Sequence, residues 1–84
     1  SVVTPIRNDA VETWIENWQS RGAGWICEKT ESKLEGYTNI INYYGSSAYD
    51  TAQMSRLIEL VRIECENNGI EVATPEEIAL IRYE

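Results

Sequence analysis

The spacing of apolar side chains changes along the chain, and each change predicts an element. From Pro5 to Arg21, Val11, Trp14, Ile15 and Trp18 recur every three or four residues, opposite Glu12, Thr13, Glu16, Gln19 and Ser20. That period predicts an amphipathic helix whose buried side is mostly indole. Thr4-Pro5 supplies an N-cap and a first-position proline, Asn8 or Asp9 a slightly later start, and Gly22 the stop. The pattern then changes to runs rich in β-branched and aromatic residues, 24–30 and 37–44, separated by the polar stretch 31–36. Two antiparallel strands joined by a hairpin are expected, with Trp25 and Cys27 on one face of the first and Ile26 and Thr30 on the other.

Gly45-Ser46-Ser47 ends the second run, and Ser47 to Asp50 has the spacing of a capping-box variant opening a long helix to about Asn67, closed by Asn68-Gly69. Ile70-Glu71-Val72 reads as a short strand. In Thr74-Pro75-Glu76-Glu77 a cap, a proline and a glutamate fall at the spacings a helix start demands, which predicts a last helix over 75–83. The expected fold is α+β in the order α-β-β-α-β-α, a small antiparallel sheet of two or three strands packed against helices, with residues 1–84 forming one compact domain.

Along the long helix Met54, Leu57, Ile58, Val61 and Cys65 fill one apolar arc, which is enough for a core. Leu60 and Ile63 fall outside it. An apolar flank bordered by charge marks contact sites, so these two are candidate partner-binding and self-association residues, unless another helix covers them.

Charge adds a second consideration. Fourteen acids against seven Lys and Arg leave a net charge of −7, of which −5 falls in residues 50–84. Direct nucleic-acid binding is therefore not expected, because a polyanion would be repelled and the seven cations are scattered. The reverse is: an acidic exterior suits a basic surface on a larger protein, including one built for nucleic acid that this chain would mimic. Glu66, Glu71, Glu76 and Glu77 are the candidate polar rim, although acids near a helix start also complement its dipole.

Candidate chemistry is sparse. The chain has no histidine, which removes the commonest general base, and no serine has a base at a recognisable spacing, so no enzyme is expected. Cys27 and Cys65, without CxxC spacing, are expected as two buried thiols rather than a metal site, and no cofactor is expected. Unbridged thiols suggest a reducing, cytoplasmic setting. No uncharged stretch is long or apolar enough for a membrane span.

The aromatic residues are all Trp and Tyr, each with a polar atom that needs a partner when buried. Tyr43, Tyr44 and Tyr49 around Ser46-Ser47 form an alternative site for an anionic or nucleotide-like ligand, though the turn lacks the lysine of a P-loop. Size and charge suit the small accessory proteins of phages, immunity systems and toxin–antitoxin pairs. The leading expectation is a non-enzymatic interaction module that inhibits or modulates a basic-surfaced protein and self-associates into a homo-oligomer.

Overall fold

The structure, a computed structural model, describes residues 1–45, 50–72 and 74–83. Its elements are β1 (Val2–Arg7), a 3-10 turn (Asn8–Ala10), α1 (Val11–Gln19), β2 (Ile26–Glu31), β3 (Tyr37–Tyr43), α2 (Thr51–Asn67), α3 (Pro75–Ile78) and β4 (Arg82–Tyr83). The fold is mixed α+β. An antiparallel sheet in the order β2-β3-β1, extended by the two-residue β4 beside β1, carries the helices on one face.

The largest departure from the pattern reading is at the start. Residues 2–7 form a strand, and the helix expected from Pro5 begins at Val11. Thr4-Pro5 looks like a helix start, but Val2, Thr4 and Ile6 alternate inward and find partners on β3, in the register Val2↔Asn42, Thr4↔Ile40 and Ile6↔Thr38. A proline is tolerated there because β4 pairs only with Val2 and Val3, so Pro5 lies on an open edge where a missing N–H breaks no ladder bond.

The hairpin of β2 and β3 forms as expected, with Cys27↔Asn42 and Lys29↔Ile40 among its pairs. Gly24 and Gly45 draw its open end together. A Cβ on Gly45 would lie 2.7 Å from the Ala23 carbonyl oxygen, and one on Gly24 would lie 2.9 Å from the Gly45 Cα. Only glycines allow that approach.

Residues 70–72 are not a strand; Val72 instead plugs the core with its side chain. The last helix ends at Ile78 instead of running to 83, and the chain turns back so that Arg82 and Tyr83 pair with Val3 and Val2.

One core joins the layers. Val2, Ile6 and Ile40 from the sheet meet Val11, Trp14 and Trp18 from α1 and Met54, Ile58, Val61 and Cys65 from α2. Trp14 and Trp18 stack with centroids 6.4 Å apart, and Trp25 tilts against Trp18 at 5.2 Å. Both buried indoles find acceptors. Trp14 Nε1 donates to Asn42 Oδ1 at 2.8 Å, and Trp18 Nε1 donates to the Tyr43 carbonyl at 2.8 Å. Asn42 is itself fully buried, and its amide donates to the Val2 carbonyl at 3.1 Å and to the Thr4 hydroxyl. This polar centre locks β1 to β3 beneath the helix.

Candidate functional site

The site is built on α2. Asp50 caps it, accepting from the Gln53 N–H at 2.8 Å while the Gln53 side chain accepts from the Asp50 N–H at 3.0 Å. The cap is thus Asp50 rather than Ser47, which lies outside the described residues. With 3.6 residues per turn, Met54, Ile58, Val61 and Cys65 fall on one side and are buried. Gln53, Arg56, Leu60, Ile63 and Asn67 fall on the other.

Among the described residues no helix covers that second side. Leu60 is 54% and Ile63 40% exposed, while Leu57, between the two sides, packs partly against the core. Leu60 borders a surface groove of about 490 Å³ with Ser55, Arg56 and Glu59. Among the described residues three other large apolar side chains are exposed, away from α2: Ile26 on β2, with Leu34 and Leu80 beside a second groove that includes Pro5.

The charges around α2 are unevenly satisfied. Arg62 lies between Glu59 and Glu66, 2.6 Å from the latter, and its hydrogen bond holds the Glu59 carboxyl below its usual range. Glu64 accepts from the Asn17 amide at 2.8 Å and sits 3.6 Å from Arg21, with about half of its side chain exposed. Arg56 has no ion-pair partner among the described residues.

The glutamates expected as a rim separate into different roles. Glu66 belongs to the Arg62 pair and Glu71 lies 3.3 Å from Arg7. Glu77 is buried, which corrects its reading as an exposed rim residue. It accepts from Arg7 at 3.0 Å, from the Tyr37 hydroxyl and from the Thr74 N–H at 2.8 Å, tying α3 to the far end of β1 and β3. Burial alone would raise its carboxyl, but these donors together outweigh burial and hold it below the usual carboxylate range. The Thr74 to Glu77 capping box forms as the spacing predicts. Of the four rim candidates only Glu76 stands exposed without an ion-pair partner among the described residues.

The tyrosine cluster is less available than its spacing suggests. Tyr43 gives its carbonyl to Trp18 and its hydroxyl donates to Glu28 at 3.2 Å, while Tyr44 packs against the core. Ser46, Ser47 and Tyr49 lie outside the described residues.

Both cysteines are free. Burial pushes the Cys27 thiol up to about 12 and the Cys65 thiol up to about 11, where neither is a nucleophile at neutral pH. Among the described residues no group of three His, Cys, Asp or Glu is placed to hold a metal ion, and no helix is long and apolar enough to cross a membrane.

Residue spacing missed two constellations, the Asn42 centre and the Arg7-Tyr37-Glu77 clasp. Each joins residues far apart in the chain, and no local signal announces them. The α2 flank was legible, since helical periodicity sets Leu60 and Ile63 outside the apolar arc of Met54, Leu57, Ile58, Val61 and Cys65.

No family model, no curated protein and no solved structure matches this chain.

Proposed function

We propose that the chain is a non-enzymatic protein-interaction module that uses the outer flank of α2 as its contact surface. The observation that carries this reading is the exposure of Leu60 and Ile63 on a helix whose opposite side already supplies the core. Two neighbouring aliphatic side chains ringed by charged groups have the composition of a contact patch: an apolar centre and a polar rim. The polar side chains that converge elsewhere, at Asn42 and Glu77, are occupied in holding strands and helices together. Their partners are structural, so the chemistry of the interior argues for a scaffold rather than a reaction centre.

The net charge of −7 favours a larger protein with a basic surface as the object of modulation. With three of the four rim glutamates held in intrachain pairs, that attraction acts through the overall field more than through a local acidic patch. A photo-crosslinking residue at position 60, compared in the producing cell with one at Glu35 on the β2–β3 turn, tests the contact. Adducts heavier than the chain are expected at 60 and not at 35. Position 60 without adducts would remove the reading.

A further inference from the structure

We infer that the α2 flank is closed by the same flank of a second copy, the two helices antiparallel about a two-fold axis level with Leu60. This rests on the reading of that flank as a contact surface and names its partner. Two opposite charges flank Leu60. Arg56 is the cation nearest Leu60 on the exposed side and has no ion-pair partner among the described residues, and Glu64 on the other side of Leu60, though it accepts from Asn17 at 2.8 Å and lies 3.6 Å from Arg21, keeps about half of its side chain exposed. Arg56 and Glu64 lie equally far from Leu60, one turn before and one turn after. An antiparallel pair centred on Leu60 therefore brings Arg56 of each copy level with Glu64 of the other, twice over.

The same symmetry suits the apolar and amide groups. Leu57 and Ile63 are equidistant from Leu60, as are Gln53 and Asn67. Side chains of one helix enter the spaces between four of the other, as in a coiled coil. Leu60 then enters the space among the second copy's Arg56, Glu59, Leu60 and Ile63. Arg56 enters the space among its Leu60, Ile63, Glu64 and Asn67. Apolar meets apolar at the centre, cation meets carboxylate outside it, and amide faces amide at the ends.

Competing geometries lack this match. A parallel two-fold pair would set Arg56 against Arg56 at the seam and Glu64 beside Glu59 on its flanks, and like charges so placed are repulsive. The β2 edge is a poorer template for a second copy, because Glu28, Lys29 and Glu31 are all exposed along it.

Sedimentation equilibrium of the purified chain is expected to give twice the chain mass. Arg56→Glu and Glu64→Arg should each weaken the dimer by about tenfold or more. Mixed one to one, they should form a heterodimer at least as tight as the parent, since the exchanged charges then attract at both sites. Leu60→Asp touches no intrachain pair and should be monomeric with an unchanged far-ultraviolet spectrum, which keeps the test decisive if Glu64→Arg folds poorly after losing Asn17 and Arg21.

A parent that stays monomeric to about 1 mM, a Leu60→Asp chain that still dimerises, or a mixture no heavier than its folded components would overturn the pairing. A monomeric parent that nonetheless forms adducts from position 60 in the cell would reject the second copy and leave the contact surface standing. Absence of adducts would reject both.

Discussion

The buried side of α2, Met54, Ile58, Val61 and Cys65, and its outer flank, Leu60 and Ile63, are both apolar, yet among the described residues only the first is closed within one chain. The difference lies in what faces them. The inner side meets Trp14 and Trp18, whose indole N–H groups must each find an acceptor, and Asn42 and the Tyr43 carbonyl are placed to supply one. A face closed by such donors fits in one arrangement, because any slip leaves a buried N–H unpaired. The outer flank has no polar atom at its apolar centre and charged groups only around it. Its specificity must come from the positions of those charges, which is the property a surface between separate molecules needs.

The comparison breaks most readily on the inner side. Ile58→Ala should cost about 2–5 kcal/mol in urea denaturation, the range for deleting a fully packed aliphatic side chain and leaving part of its volume empty. A loss under about 1 kcal/mol would mean that the helix can collapse onto the tryptophans, and that the inner side is not the jigsaw described. Asn42→Ala follows, at about 1–3 kcal/mol, because it orphans the Trp14 indole and releases the Val2 carbonyl and the Thr4 hydroxyl. Adding Trp14→Phe to that background removes the orphaned donor, so the two losses should sum to less than their separate values in a double-mutant cycle. Strict additivity would remove the polar anchor from the account of the inner side.

Which parts of this molecule are legible in the chain follows from how far apart the partners lie. The β2–β3 hairpin is plain from two β-rich runs about a turn apart, and the Thr74 cap from four consecutive residues, because both interactions are local. β1 is misread as helix because Thr4-Pro5 carries a strong local helix-start signal, while its strand identity depends on β3, more than thirty residues away. Glu77 shows the same limit. Its bond to Thr74 is visible in sequence, whereas Arg7, seventy positions earlier, turns a surface acid into a buried clasp. The α2 flank was legible because helical periodicity alone separates Leu60 and Ile63 from the core arc. Whether another element covers them depends on the path of the whole chain.

Glu77 sharpens the comparison with a charged group that is closed inside the monomer. Its carboxyl lies below the ordinary range when folded, so it adds stability above the unfolded value near 4.3 and loses it as pH falls through the lower folded value. Glu77→Gln should therefore lower stability by about 1.5 kcal/mol at neutral pH, with the gap to the parent closing as the pH falls through the lowered folded value. Urea midpoints at several pH values measure this directly. A gap that stays constant throughout the acid range would mean the clasp works by shape alone.

The smallest expected effect bears hardest on the difference between the two sides of the helix. At concentrations low enough for any dimer to be dissociated, Leu60→Ala should change the unfolding free energy by no more than about 0.5 kcal/mol, since a half-exposed side chain opposite the core gives up little contact when shortened. Ile58, only two residues earlier, loses the same kind of aliphatic bulk in its own alanine variant at several times the cost. If Leu60→Ala cost as much as Ile58→Ala in the dissociated chain, the flank would be covered within the monomer. The distinction between a closed and an open side would then fail, and with it the surface on which the interaction reading stands.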